Sequence, residues 1–279
     1  MLSALAHLRI SRQSASWSAA RSLALAGLFT ALAGLDTAFC CGAAGGATRV
    51  VEVTERLEIR LEDGRLVRLA GLDVPARARG GFDAATPARA KLADRWVGTP
   101  VAVALLAPKP DRWGRWLADL SSPDGASASL ELLDAGLARV RPEFETRGCE
   151  SERLAAESGA RAAGLGLWND PDSILDASDL ESLRANDGRF VVIEGAVRRV
   201  GMSRSRVYLD FGRRDGFTVV VARKAEPAFE RRGVALGNLG GQTIRMRGML
   251  DDRFGPRMEL ADPLMIERVG GPAQTKSGG

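Results

Sequence analysis

Apolar and polar residues alternate with the period of a β-strand in the first part of the chain that follows residue 47. Residues 48–60 predict two strands or one bent strand. Glu62-Asp63-Gly64 then predicts a hairpin turn, because an Asp-Gly pair tolerates the backbone of a tight turn. A strand over 66–70 follows, and its Arg68 faces away from the apolar side chains that flank it. Gly71 and Pro75 end this strand and turn the chain.

The next hundred residues continue with a mixture of strands and helices. The apolar pattern predicts a helix over 87–97, strands over 101–106 and 115–120, and helices over 129–138 and 150–163. In the last helix it places Leu154, Ala155 and Ala162 on one side. Five strands with helices between and after them predict an α+β domain over 48–170, built on a closed five-stranded OB-fold barrel.

A second domain is predicted over 180–269, after a polar linker at 171–179. It shows strand patterns at 190–200, 207–211, 218–222, 243–249, 258–260 and 265–266, and a short helix at 225–232. A hairpin is expected with its tip at 252–255. This pattern resembles a second OB-like β-barrel, of the type that binds nucleic acid or protein. The tail 270–279 is expected to be disordered.

The N-terminal segment 1–47 has the pattern of an export signal. Basic residues precede an apolar run over 23–35 that is too short to span a bilayer, and small residues follow it. Cleavage after Ala43 or Ala47 would place the protein in the periplasm or outside the cell; an uncleaved membrane anchor is the alternative. If the segment is removed, Cys149 remains as a single cysteine and no intramolecular disulfide forms.

Composition narrows the chemistry that the chain can carry. Its 39 basic and 35 acidic residues give a net charge of +4, and nearly all of the cations are arginines. Arginine suits bidentate contacts to phosphate, although a general compositional bias toward arginine would look the same. The only histidine, His7, lies in the predicted export signal. Catalysis by Ser-His-Asp or Cys-His and zinc binding by histidine are therefore excluded for the processed chain.

Five segments within residues 48–168 occur in the same order as in the staphylococcal-nuclease-like (thermonuclease) family, and together they resemble it. They are LEDGRLVRLAGLDVP, GTPVAVAL, DRWGRWLADL, LELLDAGLARV and CESERLAAESGARAAGLGLW. The resemblance implies an OB-fold and a calcium-dependent nuclease in which two arginines hold the scissile phosphate. Arg68 matches the first of these arginines and Arg115 the second. Asp73 matches a calcium-binding aspartate, the Val74 carbonyl a backbone ligand, and Asp111 the acidic residue of the turn before the second arginine.

Two positions depart from the family pattern. Leu57 stands where a second metal-binding aspartate is expected, and Ala76 stands where a glutamate would assist the attacking water. Glu55, Glu58 or Asp83 could substitute for the missing carboxylates only if the site is rearranged. The loss of a general base alone typically costs about 10²–10⁴-fold in rate.

Three functions remain open at this point. The first is a nuclease-fold protein with an incomplete site and weak or no activity, which binds nucleic acid or serves as a scaffold. The second is an active calcium-dependent phosphodiesterase of the envelope, acting on single-stranded DNA or RNA. The third is a protein–protein adaptor for envelope proteins, built from two OB-folds.

The second domain carries its own candidate nucleic-acid surface. Arginines flank two predicted strands and the loop between them, close to aromatic residues that could stack on bases. The residues are Arg198, Arg199, Arg204, Arg206, Arg213 and Arg214, with Tyr208, Phe211 and Phe217. A solvated hairpin with core aromatics is the alternative interpretation.

Overall fold

A computed structural model of the protein describes residues 43–76, 82–146, 148–212 and 215–269. Within these ranges a first lobe (43–170) and a second lobe (175–269) belong to one compact unit. The strands of the first lobe are β1 (Ala43–Val53), β2 (Ile59–Leu61), β3 (Leu66–Leu69), β4 (Leu72–Asp73), β5 (Pro100–Leu105), β6 (Arg115–Ser121) and β7 (Arg139–Val140). Its helices are α1 (Ala85–Trp96), α2 (Ala128–Asp134) and α3 (Glu150–Ala162). No helix in the described ranges has the length and apolar character needed to cross a membrane.

Five of these strands form a closed barrel in the order β1-β2-β3-β6-β5. The pairing of β3 with β6 is parallel, and the other pairings are antiparallel. The barrel interior is filled by inward side chains such as Val67, Val103 and Leu120, all of which are fully buried. The predicted α+β class and five-stranded OB-fold barrel are therefore confirmed.

Two tight turns set the register at the start of the barrel. The alternating segment 48–60 is divided into β1 and β2 by a turn in which Leu57 adopts a φ of 61°. The predicted Asp63-Gly64 hairpin joins β2 to β3, and Gly64 has a φ of 85°. A left-handed backbone is easy for glycine and unusual for leucine, so Leu57 occupies a conformation that suits Asp or Asn better.

Helix α3 buries a different face from the predicted one. Ala155 and Ala162 are exposed, and Leu154 is only half-buried. The buried residues are Glu150, Arg153, Glu157 and Ala160. The apolar pattern was misleading because this helix packs through charged side chains that find partners in both lobes.

Cys149 precedes α3, is buried and is disulfide-bonded. It is the only cysteine among the described residues. The remaining cysteines, Cys40 and Cys41, precede both proposed cleavage positions. A chain cut after Ala43 or Ala47 would lack a partner for Cys149, and a cut after Ala47 would also remove the residues of β1 that pair with β5 at Ala102, Ala104 and Leu105. The predicted export segment itself lies outside the described residues, apart from the first residues of β1.

The second lobe is built on one large sheet. Its strands are β8 (Leu175–Asp176), β9 (Phe190–Ala196), β10 (Arg199–Met202), β11 (Arg206–Asp210), β12 (Thr218–Ala222), β13 (Thr243–Asp251), β14 (Arg257–Leu260) and β15 (Ile266–Arg268). Two helices accompany them, α4 (Leu180–Ala185) and α5 (Glu226–Arg231). Strand β8 falls within the segment 171–179 that was predicted to be a linker, and its Leu175 is buried.

The sheet runs in the order β10-β11-β12-β14-β13-β9-β8, and β15 pairs with β13. The pairing of β12 with β14 is parallel, like that of β3 with β6 in the first barrel. Strands β9 and β10 are separated by two residues but lie on opposite sides of this order, where they pair with β13 and β11. The connectivity thus follows the first barrel, and a second closed OB-like barrel remains a prediction.

A network of buried charges connects the two lobes. Arg247 of β13 donates to both carboxylate oxygens of Glu157 on α3, at 2.7 and 2.9 Å, and to the Val140 carbonyl at 3.1 Å. Glu157 also accepts from the Val140 N–H at 2.6 Å. Glu267 of β15 binds the same guanidinium group of Arg247. A small apolar cluster of Ala160, Leu167, Trp168 and Val192 lies at the same junction.

We predict that Arg247→Met destabilises the whole chain by about 3–5 kcal/mol, because it leaves the carboxylate of Glu157 buried without its main counter-ion. The free energy of unfolding from urea titration measures this loss. Arg198→Met is the matched control: Arg198 is exposed and has no ion pair among the described residues, so its effect should stay within about 0.5 kcal/mol. Equal effects of the two substitutions would show that the buried pair does not hold the lobes together.

Candidate functional site

Arg68 and Arg115 lie on the same outer face of the barrel. Strands β3 and β6 run parallel, with Leu66 opposite Arg115 and Arg68 opposite Leu117. Since residues two apart on a strand share a face, both arginines point away from the barrel interior. Their Cα atoms are separated by roughly 8 Å, from two residues along the strand and one strand spacing across. Two guanidinium groups at this separation can contact a single anion.

Arg115 is held at the start of β6 by two carboxylates. Asp111 accepts from its Nε and Nη2 atoms at 2.9 and 2.8 Å, and Glu58 accepts from Nη1 at 3.3 Å. Partial desolvation alone would raise the pKa of Asp111, but the hydrogen bonds from the Arg115 side chain and backbone outweigh it and lower this pKa to about 2. The same hydrogen bond raises the pKa of Arg115. The predicted acidic residue of this turn therefore orients the arginine.

Trp113 is an exposed aromatic side chain beside this face, which the sequence pattern did not single out. The residue is 61% exposed, and the guanidinium groups of Arg112 and Arg115 lie over its ring, 3.9 and 4.7 Å from the ring centroid. Cations stack on an indole ring through its negative face. The Trp113 ring thus provides an exposed flat surface next to Arg115, a candidate phosphate-binding residue.

Arg68 is paired with Glu143, a residue that sequence reasoning also missed. The guanidinium Nη2 donates to Glu143 Oε1 at 3.1 Å, and the second carboxylate oxygen accepts from the Gly71 N–H at 2.9 Å. Glu143 lies in the segment after β7, far from Arg68 in sequence. Only the fold brings the two together, so spacing in the sequence carries no signal for this contact.

Gly71 is required at the end of β3 by both conformation and space. Its φ is 70°, and a Cβ atom there would lie 2.4 Å from the Nη1 atom of Arg153. Arg153 is buried on α3 and donates to Asp119 of β6 at 3.0 Å, while its Nη1 has no hydrogen-bond partner within the described part of the chain. A buried cation therefore lies directly behind the backbone that holds Glu143.

The predicted metal ligands are Asp73 and Val74, and the carboxylate of Asp73 is paired with an arginine other than Arg68 or Arg115. Asp73 is opposite Arg139 in the β4–β7 pair and accepts from its Nη2 and Nε atoms at 2.6 and 3.1 Å. Asp73, Val74 and Arg139 line a cavity of about 590 Å³ between the lobes. Among the described residues that line this cavity, neither Arg68 nor Arg115 is present.

The side chains present do not fit a calcium ion. Leu57 and Ala76 offer no side-chain oxygen ligand, and Asp73 is engaged by Arg139. Of the acidic residues that could substitute, Glu58 binds Arg115, Glu55 is exposed, and Asp83 accepts from the Ala85 N–H and the Thr86 hydroxyl at the start of α1. In the described ranges, no three acidic, histidine or cysteine side chains are grouped so that they could hold a metal ion.

The candidate residues of the second lobe separate into two groups. Arg199 is bound to Asp210 at 2.6 Å, and Arg198 lies at the same end of β11, where its N–H donates to the Asp210 carbonyl. Arg204 and Arg206 are exposed at the opposite end of that strand, and Tyr208 is half-buried between the two ends.

Two of the aromatic candidates of this lobe do not add to a surface. Phe211 and Phe217 are core residues whose ring centroids are 5.3 Å apart, as the alternative interpretation expected. Arg213 and Arg214 lie outside the described residues.

Comparison with known proteins gives one family. Residues 66–170 match the sequence model of the family described as "Staphylococcal nuclease homologue". The matched range contains Arg68, Arg115, Asp73, Glu143 and α3. No curated protein matches the chain.

The paired state of Arg115 leads to a prediction on pH. Since the pKa of Asp111 is lowered to about 2 from its ordinary value of 3.8, the ion pair should persist above about pH 4 and be lost as the pH falls through 2. Carboxyl ¹³C chemical shifts titrate this group directly. In Arg115→Gln the midpoint should return toward 3.8, while in Arg60→Gln, on the neighbouring strand β2, it should not move. A midpoint near 3.8 in the unmodified protein would contradict the pairing.

Proposed function

Residues 66–170 belong to the staphylococcal nuclease homologue family, and from this premise we propose that the protein binds the phosphodiester backbone of single-stranded DNA or RNA at Arg68 and Arg115, with weak or no hydrolysis. The observation that carries the proposal is the placement of these two arginines on one outer face of the barrel, on adjacent parallel strands. Both arginine side chains remain partly accessible.

The surroundings of the two arginines support a binding role. Planar guanidinium groups contact phosphate oxygens in pairs, and carboxylates that hold them in position limit the side-chain entropy lost on binding. Trp113 adds an exposed ring on which a base can stack, a contact that tolerates any base. A backbone contact combined with stacking favours single strands without a strong sequence preference.

The arrangement of carboxylates argues against efficient hydrolysis. The family is calcium-dependent in general, yet the two side chains expected to complete a metal site and position water are Leu57 and Ala76. Asp73 is already paired with Arg139. The donor set therefore does not support a calcium-dependent reaction.

One observation favours the second candidate, an active phosphodiesterase. Glu143 places a carboxylate against Arg68, whereas Ala76, where the family pattern has a glutamate, carries none. A carboxylate beside a bound phosphate is a candidate general base. The third candidate, an adaptor for envelope proteins, draws support from the buried charges that join the lobes into one scaffold.

We also propose that the protein acts outside the cytoplasm, in the periplasm or the extracellular space. The N-terminal pattern of basic residues followed by a short apolar run supports export. The disulfide at Cys149 agrees with an oxidising compartment. If the disulfide is intramolecular, either the export signal is removed before Cys40 or the N-terminus stays as an anchor.

The proposal predicts that Arg68→Gln/Arg115→Gln weakens binding of a labelled oligothymidylate of about eight nucleotides, which is within the site size of one OB-fold. Fluorescence anisotropy of the full chain should show about tenfold or greater loss at about 50 mM salt, and the slope of log K against log salt should fall by about 1.4 for two lost contacts.

The matched control is Arg60→Gln/Arg65→Gln. It removes two arginines of the same lobe that are likewise paired with carboxylates, Glu52 and Asp63. Binding by this control should equal that of the unmodified chain. Equal losses in the two variants, or no loss in the first, would remove the barrel face as the binding site.

A further inference from the structure

One end of the second lobe collects basic residues from two separate parts of the sequence. Strands β10 and β11 form a hairpin whose turn, residues 203–205, is closed by hydrogen bonds between Ser203 and Arg206. Arg206 lies opposite Ala222 at the end of β12. The N–H of Arg223 then donates to the Ser205 carbonyl at 2.9 Å. The hairpin turn and the segment after β12 are therefore neighbours about one strand spacing apart, near 4.8 Å.

This basic end, defined as Arg204, Arg206, Arg223 and Lys224, carries an excess of positive charge. All four residues are exposed. Arg223 is paired with Glu226 at 3.0 Å. The side chains of Arg204, Arg206 and Lys224 have no ion pair among the described residues. Three cations without counter-ions at one end of a sheet create a local positive potential that the small net charge of the chain conceals.

An aromatic side chain continues the surface along β11. Tyr208 lies two residues from Arg206 and so shares its face of the sheet. Gly201 lies directly opposite Tyr208 on β10, and a Cβ atom there would sit 3.7 Å from the tyrosine Cβ. Because the glycine has no side chain, the strand beside the phenol ring is flat and open.

The remainder of this face is electrically balanced. Asp210, two residues beyond Tyr208, is bound to Arg199. Arg257 and Glu259 alternate along β14 on the same side. The positive potential is therefore confined to the end of the lobe that holds Arg204, Arg206 and Lys224. Two of the cations that the sequence suggested, Arg198 and Arg199, lie at the other end.

We propose that this basic end and Tyr208 form a second docking surface for the backbone of a single-stranded nucleic acid, separate from the barrel face of the first lobe. Arg204, Arg206 and Lys224 contact phosphates, and a base stacks on Tyr208. An anionic membrane is a poorer fit, because a membrane-binding surface needs a broad apolar face beside its cations. Here Met202 is the exposed large apolar side chain next to the turn.

The test compares two triple variants of the full chain. Arg204→Gln/Arg206→Gln/Lys224→Gln removes the proposed contacts. Arg49→Gln/Arg89→Gln/Lys91→Gln removes the same charge from exposed residues elsewhere that have no ion pair in the described ranges. Calorimetric titration with an oligothymidylate of about eight nucleotides gives the affinity and the number of strands bound per chain.

We expect the first triple variant to bind one strand fewer per chain than the unmodified protein, and the control to bind the same number. The salt slope at the lost site should be about 2, as expected for three phosphate contacts on a single strand. Tyr208→Leu should weaken this site by about tenfold, the loss expected for one stacked base.

Other outcomes separate this surface from the proposed function of the barrel. If the barrel face does not bind, the unmodified chain binds one strand and the first triple variant binds none, which still supports the second surface. Unchanged binding by the first triple variant, or equal losses in both variants, would overturn it. Binding to phosphatidylserine vesicles that depends on the same three cations, without binding to the oligonucleotide, would assign the surface to a membrane and also overturn it.

Discussion

The ion pair between Glu157 and Arg247 is the contact on which the arrangement of the two lobes depends. Both side chains are 1% exposed, so each would lose its hydration on burial without any compensation from water. The geometry compensates for this loss. Glu157 receives two bonds from the guanidinium group and one from the Val140 N–H, and Arg247 also donates to the Val140 carbonyl. A buried pair with this many hydrogen bonds has one acceptable geometry, which makes it a device for fixing orientation.

The orientation fixed by this pair extends to the barrel face through α3. Glu157 and Arg153 are four residues apart and therefore lie on the same side of the helix. Arg153 packs against Gly71, whose N–H holds Glu143 against Arg68. The contacts from the second lobe to a candidate phosphate-binding arginine thus run through one helix and one glycine. An apolar inner face on α3 would pack as tightly, but the charged inner face also provides this series of contacts between the lobes.

Strands were predictable from this sequence, and long-range ion pairs were not. Alternating residues and the Asp63-Gly64 turn indicated the barrel because strand period and turn chemistry are local properties. Glu143 and Arg139 gave no signal, since their partners Arg68 and Asp73 are distant in the chain. The inner face of α3 was misassigned for the same reason: charged residues are expected outside unless a partner is known. Arg68 and Arg115 were identified only through the family resemblance, and the fold then placed them together.

The proposed binding face has a consistent physical form. Each carboxylate near the two arginines is used to hold a cation, with Asp111 and Glu58 on Arg115 and Glu143 on Arg68. Such a face can exchange a carboxylate for a phosphate and bind it. It does not gather the several oxygen ligands that a calcium ion requires.

The most direct test is an assay for cleavage of single-stranded DNA by the full chain, once with calcium and once with a chelator. The double variant Arg68→Ala/Arg115→Ala is measured beside it. We expect the unmodified protein to bind the strand and to leave it uncut under both conditions. Calcium-dependent cleavage that disappears in the double variant would contradict the account, because it would require carboxylates to assemble a metal site around the two arginines.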